Sequence, residues 1–359
     1  MPVKSFQPIN PSSDVATTRT FLHEVVPVTG PICHTTYGNE NIQNYTHGQF
    51  QSVYDYPFLS SSANHIFDLT IGYSSQSVLS GSTNVLQESK KINMYNQFAQ
   101  VLLGYTGSSN DIRRFESDLL LDLTGAMNSA FFVNFSRLLT KDEIKKNTFS
   151  ISIGTGAYAT PFHNGAGHSA ATLTLQDAKA RINGDGVANS DGGDYGVLFS
   201  NSAGTGHGLG VVFYQAGIAV ITSSIFEARD GRAGTRDFFK VGSATSSVNS
   251  SFVSQSMTGS IDSFRRRINN ISFNNTTEIN STIYFCRAPI NKFNYSSNPT
   301  YLTGSKIRVK NIASDNPIAY ITTVGLYNSS NELLAVAKLS EPLKKSIDNE
   351  LTIRVRLDY

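Results

Sequence analysis

From residue 148 onward the chain reads as strand after strand, short apolar runs separated by polar or glycine-rich turns. Phe149, Ile151 and Ile153 alternate with Thr148, Ser150 and Ser152, and Thr172 to Leu175 alternates in the same way. Gly196 to Ser200, Gly210 to Tyr214 and Ile218 to Ile225 follow, with Gln215-Ala216-Gly217 making a hairpin of the last two. Ile271-Ser272-Phe273 and Ile279 to Arg287 flank the polar stretch Asn274 to Thr277 and read as another hairpin. Ala319 to Tyr359 reads as three strands. Asn328 to Asn331 is a polar turn, and Pro342 ends the middle strand because proline cannot donate to a ladder. In the last strand Leu351, Ile353, Val355 and Leu357 alternate with Thr352, Arg354, Arg356 and Asp358. The pattern argues for a β-sandwich or barrel and against a βαβ fold. It predicts a mainly β protein, an antiparallel β-sandwich of jelly-roll type, with a small helical segment and an extended N-terminal arm.

The remainder of the chain gives two further regions. Residues 1–84 are polar and irregular, broken by Pro2, Pro8, Pro11, Pro27, Pro31 and Pro57, yet studded with Tyr37, Tyr45, Tyr54, Tyr56 and Phe58. Such a stretch is either an assembly arm laid on a neighbour or a loop-rich flank of the same domain. Residues 85–147 read as a small α+β region. In Gln87 to Leu103 the apolar positions Met94, Tyr95, Phe98, Val101 and Leu102 fall at helical spacing, and Gly104 stands where a C-terminal cap belongs. Ile112 to Leu123 reads as a second helix and Ala130 to Arg137 as a strand; Thr140 with Glu143 forms a capping-box pattern ahead of a helical turn, Asp142 to Lys146. Residues 148–359 complete the division as a β-sandwich ending in a C-terminal strand module.

Composition narrows the class of function. Among 359 residues, 29 Lys and Arg nearly balance 27 Asp and Glu, so nucleic acid is not expected as the main partner. Trp is absent, whereas 22 Phe and 16 Tyr can build cores and interfaces. Cys33 and Cys286 are too few and too far apart for a disulfide framework or a metal cluster, and two packed, reduced thiols are expected. The first residues carry no apolar signal core and no run of 18 apolar residues occurs, which leads to the expectation of a cytoplasmically made protein without a membrane partner.

Each motif that invites chemistry fails its own spacing test. Asn183 to Asp191 resembles the middle of an EF-hand calcium loop, but Arg181 and Gly192 occupy the first and twelfth ligand positions, which need carboxylates. A Gly/Asp/Asn turn between strands is the reading, with Asp185, Asp191 and Asp194 the residues to watch if a metal binds. His163, His168 and His207 sit in glycine loops without the three or four ligands zinc requires. No glycine run has the spacing of a phosphate cradle, and no Ser stands in a nucleophile elbow. Arg265-Arg266-Arg267, close to Asp262, is the one basic cluster and reads as salt bridges at a subunit contact. Tyr37, Tyr45, Tyr54 and Tyr56 join those arginines as interface candidates. No cofactor and no catalytic residue is expected.

The strings YITTVGLYN, ELLAVAKLS and RVRLDY, with YFCRA and FNYSSNPTY upstream of them, occur here in order. Together they resemble the C-terminal module of virion structural proteins from contractile-tailed bacteriophages, especially those of marine cyanobacteria. The match is strongest over residues 281–359; MYNQFAQVLLG and SRLLTKDEIKK are also similar to segments of that family. The resemblance implies a non-enzymatic subunit of the phage tail, at the baseplate or tail periphery. Such a subunit is assembled in the host cytoplasm, with other virion proteins and further copies of itself, in a ring or in pairs, as partners. A neck, collar or head-decoration protein is the alternative place in the particle. A host-surface glycan- or receptor-binding module is an alternative class, and a cell-surface hydrolase a third, for which no pair of carboxylates is singled out.

Overall fold

In a computed structural model of the chain, the residues described are 6–28, 39–81, 85–105, 111–115, 127–162, 172–180, 187–200, 202–204, 208–227, 237–241, 244–296, 302–304, 306–307, 312 and 314–359. In chain order the elements are β1 (Val15–Val28), β2 (Ile42–Asn44), β3 (Gln51–Tyr54), β4 (His65–Tyr73), α1 (Val85–Leu103), β5 (Ser129–Phe135), α2 (Arg137–Thr140), β6 (Glu143–Ile144), β7 (Ser150–Gly154) and β8 (Thr172–Gln176). Then come β9 (Val187–Ser190), β10 (Gly193–Leu198), β11 (Gly210–Phe213), β12 (Ile218–Thr222), β13 (Phe239–Val241), β14 (Ala244–Ser246), α3 (Val248–Ser254), α4 (Met257–Arg265) and β15 (Ile268–Ala288). Last are β16 (Leu302–Thr303), β17 (Lys306–Ile307), β18 (Ile318–Tyr327), β19 (Leu333–Ser346) and β20 (Leu351–Asp358). The protein is mainly β with antiparallel sheets, as its periodicity predicts.

The chain divides into two compact units, Leu22–Thr277 and the pair of segments Met1–Phe21 and Glu278–Tyr359. The expected regions 1–84, 85–147 and 148–359 divide the chain at other places than these two units. Both unit boundaries fall inside long strands, β1 and β15.

The larger unit is built on an eight-stranded sheet in the order β2-β3-β4-β5-β12-β11-β10-β9. Its central strand β5 buries both faces, which is why its Phe-rich sequence carries so little polar alternation. Phe131, Val133 and Phe135 enter one core and Ala130 and Phe132 another. On the first face Phe135 meets Phe149 and Phe273 at 5.8 and 5.2 Å between ring centroids, so the β7-β8 layer and the first half of β15 pack there as the second sheet of a sandwich. Phe264 of α4 stacks on Phe131 at 4.1 Å. On the second face α1 lies over β5, with Phe98 stacked on Phe132 at 4.4 Å.

Helix α1 ends as its sequence predicts. Gly104 adopts φ +72°, a left-handed value that costs glycine little. The freed Leu102 carbonyl accepts the Ser190 hydroxyl at 2.7 Å and the Gly192 amide at 3.0 Å, both from the β9–β10 turn.

Several local expectations give way to tertiary pairing. Residues 42–73 are not an arm: β2, β3 and β4 stand in the main sheet, with Val53, Phe67 and Ile71 fully buried. Asn274 to Thr277 is no turn. It lies within the unbroken strand β15, where Asn275 accepts the Glu24 amide at 3.1 Å and donates to the Leu139 carbonyl at 2.9 Å. Glu143–Ile144 is a strand paired with Asn275 and Thr276, and the short helix precedes it, stopped at Lys141 with φ +56°. The described start of the expected Ile112–Leu123 helix holds only a bridge from Ile112 to Tyr105; the rest lies outside the described residues. Helices α3 and α4 interrupt the expected run of strands. Their caps, Ser247 and Ser256, accept the amides of Ser250 and Gly259.

In the smaller unit, β20 pairs with β15 over eight residues, from Ser281↔Asp358 to Ala288↔Leu351, and Tyr359 exchanges backbone hydrogen bonds with Asn280. The opposite edge of β15 carries β1, where Asp14 accepts the Phe285 amide at 2.8 Å and pairs with Arg287 at 3.0 Å. β18 and β19 form a separate two-stranded sheet. Pro342 does not end the middle strand. The ladder skips from Ile321↔Leu343 to Thr323↔Lys338, so the proline sits in a bulge that needs no donor.

Candidate interaction surfaces

Three side chains of the larger unit with perturbed chemistry are sealed in its interior. Lys91 is fully buried, and its ammonium donates to the carbonyls of Phe252 and, at 2.8 Å, Gln255, at the C-terminal end of α3. Burial pushes its pKa down to about 8. Asp177 accepts the Asn147 amide at 2.7 Å, the Phe149 amide at 3.0 Å and the Tyr214 hydroxyl at 3.0 Å, yet burial outweighs all three and pushes its pKa up to about 6. The Tyr73 hydroxyl is buried with no hydrogen-bond partner among the described residues, and burial pushes its pKa up to about 12. Perturbed groups of this kind mark active sites when they line a cleft; Lys91, Asp177 and Tyr73 are at most 2% exposed.

The arginine cluster, expected at a subunit contact, turns inward. Arg267 is 1% exposed. Its guanidinium donates to the carbonyls of Gly154, Gly156, Asp237 and Phe238 at 2.7–3.3 Å and lies near the rings of Phe226 and Phe238. Arg265 is buried and paired with Asp262 at 2.5 Å. Arg266 is half-buried, its guanidinium 4.8 Å from the Tyr158 ring centroid. The end of α4 sets these directions: one residue of helix rotation sends neighbouring arginines different ways.

Asp191 lies in the β9–β10 turn that caps α1, and Asp194 pairs with Lys146 at 2.5 Å and accepts Asn189 at 2.7 Å. The Lys146 hydrogen bond, ahead of that from Asn189, holds the Asp194 carboxyl below its ordinary pKa. Among the described residues no group of three His, Cys, Asp or Glu side chains could hold a metal. Asp185, Tyr37, Cys33, His163, His168 and His207 lie outside the described residues. Cys286 is a half-buried thiol whose pKa burial raises. No described helix is long and apolar enough to cross a membrane.

Two surfaces remain open. The first is a corner of the main sheet, where the register sets Gln43, Ser52, Asp68 and Asn134 side by side on β2, β3, β4 and β5. Ser52 donates to Asp68 at 2.5 Å and His65 Nε2 lies 2.8 Å from the same oxygen, Oδ1. This Ser, Asp and His do not form a catalytic triad: the carboxylate stands between the other two, and Ser52 is only 2% exposed. Tyr45 and Tyr54 both donate to Gln43 Oε1 at 3.1 Å. Around them Tyr45 stacks with His47 and touches Phe50, and Tyr54 touches Phe58 and His65. Tyr56 stands exposed beyond them. Tyr45, Tyr54 and Tyr56 are expected as interface residues from the sequence, whereas Gln43, Ser52, Asp68 and Asn134 are brought together only by the strand register.

The second surface belongs to the smaller unit. Its only buried apolar side chains among the described residues are Ile283, Ala288, Ala319, Leu326 and Val355. Tyr320, Tyr327, Leu333, Leu334, Val336 and Leu343 of the β18–β19 hairpin are exposed, Leu334 by 68%. From Ile318 to Tyr327, β18 has no charged residue, whereas β19 carries Lys338, Glu341, Pro342 and Lys344, and β20 carries Arg354 and Arg356. Charges and proline are the usual guards of an edge strand. No family model, no curated protein and no solved structure matches the chain.

Proposed function

We propose that this chain is a structural, non-enzymatic subunit of a tailed-phage virion, a tail or baseplate component that works by protein–protein assembly. The reading draws its particle from the strings between Tyr284 and Tyr359, and its mechanism from the β18–β19 hairpin. The hairpin is the single observation that carries it. An isolated two-stranded sheet is marginal in water. This one exposes leucine, valine and tyrosine side chains and leaves one long edge without a charge. Such a surface is stable when a neighbour covers it, and repeated copies in a symmetric particle multiply a modest contact. Electron cryo-microscopy of purified particles tests the proposal. Density fitting the eight-stranded sheet and the hairpin is expected in the tail or baseplate, with the hairpin against a neighbouring subunit. Density in the neck, collar or head would move the subunit within the virion, and absence of the chain from particles would overturn the proposal.

A further inference from the structure

We infer that the open corner of the main sheet is a binding site for a neutral saccharide. The inference stands apart from the assembly role, which it neither needs nor supplies. Its basis is a row of polar groups on four adjacent strands, Gln43, Ser52, Asp68 and Asn134, bordered by aromatic rings. Neighbouring strands lie about 4.8 Å apart, so the row is about 14 Å long, the span of two or three sugar rings.

The internal hydrogen bonds of the row leave a defined set of groups over. Tyr45 and Tyr54 occupy Gln43 Oε1, and Ser52 and His65 occupy Asp68 Oδ1. Among the described residues nothing engages Gln43 Nε2, Asp68 Oδ2 or the Asn134 amide. These are donors, an acceptor, and both at once, held in place by the groups already bonded. Gln43, Asp68 and Asn134 are half-buried, so the atoms are partly desolvated yet reachable. Paired donors and acceptors suit hydroxyl groups, which do both. A cation would use only the acceptors. An anion would meet the Asp68 carboxylate with no arginine in the row. The half-buried ring of Tyr54 offers apolar surface to the C–H side of a sugar ring, with its hydroxyl tip fixed on Gln43, while Tyr45 is stacked against His47 and Phe50.

A glycan array probed with the full chain tests the site, followed by saturation-transfer NMR with the neutral oligosaccharides that score. Binding to neutral glycans is expected. Asn134→Ala and Tyr54→Ala should each weaken it at least tenfold while the melting temperature stays near that of the parent. Tyr320→Ala, on the hairpin, should leave binding unchanged. As a check that needs no variant, the side-chain NH2 signals of Gln43 and Asn134 should shift on titration with the bound sugar. Binding to no neutral glycan, binding confined to sulfated or sialylated glycans, or binding that moves neither amide signal would each overturn the inference. Absence of the chain from phage particles would not touch it.

Discussion

Tyr214 donates its hydroxyl to Asp177 across 3.0 Å in the interior of the larger unit, and the same carboxylate holds the amides of Asn147 and Phe149. A folded-state pKa of about 6 against an ordinary 3.8 means that the native state binds the extra proton between those values. Stability therefore falls as pH rises from about 4 to 6, by about 3 kcal/mol across the window. Urea unfolding at several pH values should show this slope, and Asp177→Asn should flatten it. Tyr214→Phe removes a donor that favours the carboxylate and should push the end of the window above pH 6.

Lys91 works in the opposite sense and at the other end of the scale. The unfolded chain holds its proton to about 10.5 and the folded chain releases it near 8. The folded state thus binds fewer protons between those values, and stability should rise with pH across them, by about 3 kcal/mol. Lys91→Met should abolish the rise. It should also leave the Phe252 and Gln255 carbonyls unpaired, so the variant is expected to be less stable than the parent at pH 10. An unaltered slope in this variant would mean that another group titrates.

Tyr73 carries a buried hydroxyl without a partner among the described residues. An unpaired buried polar group costs about 1–3 kcal/mol. Tyr73→Phe keeps the ring against Phe252, 6.4 Å away, and should raise stability by about 1 kcal/mol. Calorimetry of the variant checks this, and a lower melting temperature would show that the hydroxyl has a partner.

Thr322 is exposed on β18 and faces the bulge in β19, so a lysine there disturbs no cross-strand pair. Thr322→Lys should reduce association of the protein, measured by sedimentation at tens of micromolar, with the melting temperature unchanged. Ser340→Lys, on the strand that already carries Lys338 and Glu341, should change neither. Equal association in all three proteins would remove β18 as a contact.

Much of the fold was legible because its periodicity is local. β5, β7, the β11–β12 hairpin and α1 with Gly104 all follow from apolar spacing and one glycine. Asn274 to Thr277 was not legible as strand. Its polar side chains look like a turn until Glu24 and Leu139, far away in the chain, supply their partners. Asp142 to Lys146 misled in the same way, since its capping pattern lost to pairing with β15. The open corner was half legible. Tyrosines announce surface, but Gln43, Ser52, Asp68 and Asn134 become a row only when four strands find their register. The arginines show the reverse: charge in a sequence suggests exposure, while Arg267 is held by four carbonyls in the core.

The long strand β15 also has a bearing on how the protein is made. It is synthesised after β1, β6 and β7, and it is the strand each of them pairs with. Glu24 waits 251 residues for Asn275. Until the ribosome has delivered that stretch, the backbone edge of β1 has no partner strand and is open to pairing with other nascent chains. Yield in recombinant hosts should accordingly depend on growth temperature and on chaperone supply more than on the stability of the finished fold.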